Sequence, residues 1–292
     1  MLKDISDWEH IGFGGKSTLE KEELRSPDKL KYFIKYPREF NEGVSWEDIT
    51  ELIAAEIGTI LGLNMMKVEM VLRHGRRGCL LRNFVDEYDA MMAEEGGALL
   101  PSLLENYEEI QQSDLKNMEL IEAGFNMIEE FDYWDFFKPE FINMQIFDIL
   151  IGNQDRHPFN WQLLFFLREG VVFSPIYDNG ASLGFRFDDN QLMSKTSNSQ
   201  EMNKYTKKTR VKAGLFEKKS VKAKDLIEFL QNKYPDELES MRLRLDLFDT
   251  ERYRLFIKSL SFLSDAQSAW LMNIIPFRRE KILEWIGGSK NE

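Results

Sequence analysis

Apolar and polar positions alternate with two different periods along this chain, and the changes of period mark its elements. Lys31-Tyr32-Phe33-Ile34-Lys35-Tyr36-Pro37 reads as a strand that ends at proline. Ser45-Trp46-Glu47-Asp48 is a capping-box-like start with acids in the first turn. Ile49, Leu52, Ile53, Ile57, Ile60 and Leu61 then recur at helical spacing, and Gly62 stops the run. Met66 to Leu72 and Cys79 to Val85 read as strands around a His74–Gly78 turn. Ile11 to Ser17 is a glycine-rich turn, and a charged connection links it to the strand at Lys31. From Asp86 the pattern turns helical, through Leu99 to Leu104, Leu115 to Met127 and Phe136 to Ile151. Further helices are predicted at Asp225–Lys233, Asp236–Leu247, Thr250–Leu260 and Ser264–Ile275, with a short last one at Arg278–Trp285. The expectation is an α+β chain with a small β-rich lobe carrying one helix over 1–86 and a larger helical lobe over 87–292.

One hairpin interrupts the helical part. Leu163 to Leu167 is an unbroken apolar run, Arg168-Glu169-Gly170 supplies a turn, and Val171-Val172-Phe173 is β-branched and aromatic. Such a hairpin brings the residues after its second strand beside those before its first. Polar residues dense in chemistry flank it: Gly152-Asn153-Gln154-Asp155-Arg156-His157-Pro158-Phe159-Asn160 before, and Pro175-Ile176-Tyr177-Asp178-Asn179-Gly180 after. Phosphoryl transfer needs a carboxylate at the attacking hydroxyl and oxygen ligands that hold magnesium on the phosphates. Asp155 suits the first task, and Asn160 with Asp178 suits the second, so the two stretches read as the catalytic and metal loops of a two-lobed protein-kinase-like fold. His157 is expected to orient the loop through ring hydrogen bonds rather than act as base. Arg156 is expected to serve loop structure or phosphate charge.

The same reading assigns the small lobe. Lys35 would bind the α- and β-phosphates of ATP, held by a helix carboxylate, with Glu51 the first choice and Glu47 and Glu56 as alternatives. Gly12, Gly14, Gly15 and Lys16 would cover phosphate with backbone N–H groups. They do not form a P-loop, because the position where that motif needs its first glycine holds His10. Asn83, Phe84 and Val85, where a strand leaves the small lobe, would meet adenine.

Composition narrows the classes. The chain has 292 residues, is 43% hydrophobic and carries a net charge of -12, which disfavours nucleic-acid binding by the whole surface. It has no apolar run of membrane-spanning length and no secretory signal after Met1, and a single cysteine, Cys79, is expected to be packed. A cytoplasmic protein is expected. One stretch departs from the acidic balance: Lys195 to Lys224 contains Lys204, Lys207, Lys208, Arg210, Lys212, Lys218, Lys219 and Lys222, with only Glu201 and Glu217 in opposition. It reads equally as a docking surface for an acidic or RNA-bearing target and as a solvated loop.

Gly152, Asn153, Asp155, His157 and Asn160, with Pro175, Tyr177 and Asp178 downstream, resemble the HipA-like serine/threonine kinases over roughly Gly12 to Gly184. The resemblance implies magnesium-dependent (Mg2+) transfer of the ATP γ-phosphate to a protein hydroxyl, including self-phosphorylation, with Ser17 and Thr18 as candidate sites. It also implies a toxin role beside an antitoxin partner and a protein substrate; the acidic balance and the lack of a basic amphipathic helix lead us to expect no direct DNA binding and no membrane. Full-length members carry an extra N-terminal subdomain, expected to be absent here. The alternatives are a small-molecule or lipid kinase of the same fold, and a non-catalytic ATP-binding module.

Overall fold

The computed structural model describes residues 2–13, 20–40, 43–168 and 170–287. Gly14, Gly15, Lys16, Ser17 and Thr18 therefore lie outside the described residues. The N-terminal part is a six-stranded sheet. Its strands are β1 (Lys3–Asp4), β2 (Glu9–Phe13), β3 (Lys21–Arg25), β4 (Lys31–Lys35), β5 (Val68–Arg73) and β6 (Arg76–Arg82), in the order β1-β5-β6-β4-β3-β2. Only β1 pairs parallel, with Lys3 beside Val71; the other pairs are antiparallel. Helix α1 (Glu47–Ile60) packs on β5 and β6.

The period of two sorts each strand into two faces. Leu24, Ile34, Val71 and Leu80 bury with Ile5, Trp8 and Tyr36 in a small core on one side. Lys21, Glu23, Phe33, Lys35, Cys79 and Leu81 face the other side and line a cleft. The register makes this a tight set, because Lys21 pairs with Lys35, Lys35 with Cys79, and Phe33 with Leu81. Cys79 is buried, and burial pushes its thiol well above the ordinary value. The expected charged connection is thus largely the strand β3. Its composition, Lys-Glu-Glu-Leu-Arg, gave one apolar residue and no visible alternation.

The rest is helical around one large core, with a three-stranded sheet of β7 (Met92–Glu95), β8 (Gln162–Phe166) and β9 (Gly170–Phe173). The hairpin β8–β9 forms where expected, with Leu163 opposite Phe173 and Phe166 opposite Gly170. Strand β7 was not expected, since the segment after Asp86 read as helical. Its two glutamates carry little strand preference, and pairing with Gln162 to Phe165 decides its state. Helices α2 (Asn117–Glu129) and α3 (Trp134–Ile151) follow; α3 is buried along its last turns and ends at Gly152, whose φ of 68° closes the helix.

The basic stretch is folded. It forms α4 (Asp189–Thr196), α5 (Ser199–Lys207) and a short pair of strands, β10 (Arg210–Val211) and β11 (Val221–Lys222). Then come α6 (Ala223–Lys233), α7 (Pro235–Asp246), α8 (Thr250–Ser259) and α9 (Asp265–Gly287). The two expected last helices are one, running through Pro276. Proline removes one backbone donor, but Trp270, Leu271, Ile274, Ile275, Ile282 and Ile286 bury along one continuous side and hold the helix together. No helix among the described residues is long and apolar enough to cross a membrane.

Candidate active site

The stretch from Gly152 to Asn160 hangs from the end of α3. Asp148, on its last turn, is buried and accepts from Arg156 Nε at 2.9 Å and Arg156 Nη2 at 3.1 Å. Asn153 donates its amide to Asp148 at 3.0 Å and accepts from the Asp155 N–H at 3.0 Å. Arg156 is 0% exposed. Its guanidinium also donates to the carbonyl of Asn160 at 2.7 Å, to the carbonyl of Tyr177, and to Asn179 Oδ1 at 2.5 Å. One buried cation thus joins the residues before the hairpin to those after it. Burial opposes its charge, but Asp148 outweighs burial and raises its pKa.

Asp155, His157, Asn160 and Asp178 line one cleft of about 820 Å³ with Lys35, Glu51, Asn83, Phe84 and Val85. That volume is in the range of nucleotide-sized ligand sites. Gly12 sits in β2 at a shift of register, opposite Glu23.

Lys35 Nζ donates to Asp178 Oδ1 at 2.8 Å. Burial opposes its charge; Asp178 and Glu51 outweigh it and raise its pKa. The expected pairing with Glu51 needs correction. Both Glu51 carboxylate oxygens accept from the Asn179 backbone N–H at 2.9 Å. Among the described residues Glu51 makes no hydrogen bond to Lys35, so it acts on that lysine through charge alone. Burial raises the Glu51 pKa and Lys35 opposes the rise. For Asp178, burial acts upward, and Lys35 reverses it to a lowered value. Helix α1 grips the Asp178–Gly180 stretch a second time, where Thr50 Oγ1 donates to the Gly180 carbonyl at 2.6 Å.

His157 also needs correction. Its ring does not orient the loop by hydrogen bonds: Nδ1 has no partner among the described residues, and Nε2 lies 4.0 Å from Asp155 Oδ2. The backbone does the orienting. His157 N–H donates to the Asp155 carbonyl at 2.7 Å, and its carbonyl accepts from the Asn160 N–H at 2.9 Å. Burial holds the imidazole below the ordinary histidine value, with Asp155 opposing.

Just past the end of β6, Phe84–Glu87 forms one helical turn. Asn83 Oδ1 caps it by accepting from the Val85 N–H at 3.0 Å. Asn83 N–H donates to the Lys31 carbonyl at 3.1 Å. Two of the backbone donors expected to face adenine are therefore occupied.

Several functional candidates were missed. Lys21 faces the cleft beside Lys35 and lies 4.1 Å over the Phe33 ring; burial and the Lys35 charge lower its pKa. Asn179 read as a turn former, yet it links Arg156 to Glu51. Lys212, from the basic stretch, donates to Asp155 Oδ1 at 2.7 Å. No sequence signal separated it from its neighbouring lysines.

Asn160 Nδ2 donates to the Asp155 carbonyl at 2.9 Å, which leaves Oδ1 as the oxygen of that amide that could face a cation. Asn160 and Asp178 then offer one amide and one carboxylate oxygen. Among the described residues no cluster of three or more histidine, cysteine or acidic residues could hold a metal by itself. The pair fits magnesium, which takes few protein ligands and completes its shell with phosphate and water.

A β-rich half with one long helix, a helical half and a cleft between the two stretches that flank the hairpin define a protein-kinase-like fold. Residues 11–238 match the HipA-like C-terminal domain, and the chain belongs to that family. Among solved structures, the Helicobacter pylori proinflammatory kinase CtkA aligns with a TM-score of 0.74 at 20% identity, over 99% of this chain and 98% of that one. HipA of the Shewanella oneidensis MR-1 toxin–antitoxin system, solved with HipB and operator DNA, aligns at 0.47 and 12% identity, over 98% and 67%. The Golgi casein kinase with Mn/ADP bound aligns at 0.44 and 10%, over 99% and 74%. A comparison with curated proteins finds no match.

Proposed function

We propose that this HipA-like kinase family member transfers the γ-phosphate of ATP to a serine or threonine hydroxyl of a protein. The observation that carries the reading is the meeting of Asp155, Asn160, Asp178 and Lys35 in one cleft, with Lys35 2.8 Å from Asp178. Adenine would lie among Leu81, Phe84 and Tyr177, which are among the apolar and aromatic residues lining the cleft. Lys35 and Lys21 would take phosphate oxygens. Asp155 would orient the acceptor hydroxyl and take its proton. Asn160 and Asp178 would hold Mg2+, which neutralises phosphate charge when bound. Self-phosphorylation, a toxin role and an antitoxin partner accompany this reading through the family alone.

The test is release of ADP from ATP and Mg2+, and phosphate transfer to lysate proteins, by the wild type, Asp155→Ala and Asp178→Ala. Both variants are expected to lose transfer. Equal rates in all three would remove the reading, and label appearing on lipids or small molecules instead of protein would redirect the acceptor.

A further inference from the structure

Lys212 is the one residue of the basic stretch whose ammonium meets a catalytic-loop carboxylate. Its Nζ lies 2.7 Å from Asp155 Oδ1. The side chain is 19% exposed, whereas Lys204, Lys207, Lys208, Arg210, Lys218 and Lys222 are exposed residues. The turn that carries it is built into the core: Val211, Ala213, Leu215 and Phe216 are at most 1% exposed. Two hydrogen bonds of 2.8 Å dock this turn on the catalytic loop, from the Gly214 N–H to the Arg156 carbonyl and from Trp161 Nε1 to the Gly214 carbonyl. Ala213 and Gly214 both take left-handed φ, 57° and 65°. A side chain at Gly214 would press on Trp161 Nε1 at 3.1 Å and on Met144 and Phe141 at 3.2 Å. A partly exposed ion pair adds little stability. Its position follows from the buried turn, so the fold delivers a lysine to Asp155 whatever the pair contributes to stability.

We infer that Lys212 is a reaction-site cation: it fixes the Asp155 carboxylate and reaches the γ-phosphoryl oxygens of ATP during transfer. The inference rests on the phosphotransferase reading above. An acceptor oxygen bonded to Asp155 must lie within about 3–3.5 Å of the phosphorus it attacks. An ammonium on the same carboxylate is then within side-chain reach of the phosphoryl oxygens. In the step itself, the acceptor oxygen forms its bond to the γ-phosphorus. The bond from that phosphorus to the β–γ bridging oxygen breaks with its electron pair leaving on ADP. The hydroxyl proton passes to Asp155. Charge spreads over the phosphoryl oxygens as this happens, and a positioned cation there is worth most in the transition state.

The experiment measures ADP release from ATP and Mg2+ by the full chain, with heat-inactivated lysate proteins as acceptors. Lys212→Met keeps the volume and removes the charge. It is expected to slow turnover by about 10²–10³-fold, with KM for ATP changed less than about threefold because Lys35 and Lys21 hold the other phosphates. Lys212→Arg should recover much of the rate. Lys212→Cys should be as slow as the methionine variant, and alkylation of its new thiol with 2-bromoethylamine should restore turnover by rebuilding an ammonium at the same reach. Cys79 is buried and stays outside that reaction. Turnover of Lys212→Met within about threefold of wild type overturns the inference. So does a slow cysteine variant that aminoethylation leaves slow, which would mark a purely structural lysine. A wild type that binds ATP and releases no ADP is a different failure: it removes the phosphotransferase reading, and this inference with it.

Discussion

Glu51 holds the backbone of Asn179 with both carboxylate oxygens at 2.9 Å, while Lys35 is held by Asp178. The helix carboxylate therefore fixes the stretch around Asn179 first and the lysine only through space. Glu51→Ala leaves a buried N–H without its acceptor, a loss of about 1–3 kcal/mol, and should lower the thermal midpoint by several °C. Glu51→Gln keeps an acceptor and should lose less. Nucleotide affinity should survive Glu51→Ala better than Lys35→Ala, because Asp178 still positions the lysine. Calorimetry with ATP-binding titrations checks both points; equal loss of ATP binding in the two variants at unchanged stability would contradict them.

Gly152→Ala tests the end of α3. The residue has φ of 68°, and an added Cβ would lie 2.1 Å from Arg278 Nη1. That arginine is buried and donates to the Ile149 carbonyl at 3.1 Å, sealing the helix end. Strain and displacement together should cost about 2–3 kcal/mol and displace Asp155, so denaturant midpoint and turnover should fall together.

Acid should weaken the fold through His157. Burial holds its folded pKa below the ordinary histidine value of 6.5. Between those two values the unfolded chain binds more protons than the folded one. Stability therefore rises with pH through that window and falls as pH drops below about 6.5. Replacing the imidazole by Gln should flatten this part of the stability curve, read from urea midpoints between pH 5 and 7.5. An unchanged slope would show that other groups set it.

Lys21→Met should weaken ATP binding by about tenfold, the worth of one charge-assisted contact at the low end. The ADP affinity should fall by a similar factor, because Lys21 stands beside Lys35 and the phosphates they hold are common to both nucleotides. Titration with both nucleotides decides.

The loops and hairpin were legible because their chemistry and their apolar pattern coincide. Gly152 to Asn160 and Tyr177 to Gly180 bracket Leu163–Leu167 and Val171–Phe173, and pairing of Leu163 with Phe173 brings the two ends together as the alternation implied. Lys35 was legible from a clear strand, whereas Lys21, its direct neighbour, was hidden in an almost wholly charged one. Strand β7 owes its state to a partner distant in sequence, and α9 runs through a proline that local rules treat as a stop. Lys212 could not be singled out, because nothing local distinguishes a lysine on a buried turn from one in solvent. The Glu51 contact was misread because the choice between a lysine and a backbone N–H depends on ångström-scale placement.

Arg156 ties Asp148, Asn160, Tyr177 and Asn179 through its guanidinium, and its carbonyl receives the turn that bears Lys212. Stretches from four separate places in the chain share this one buried hub, so none can drift without its neighbours. Damage here would scatter the reacting groups collectively instead of dimming one of them. Side chains along the rim of the cleft, by contrast, can change without disturbing that common anchor.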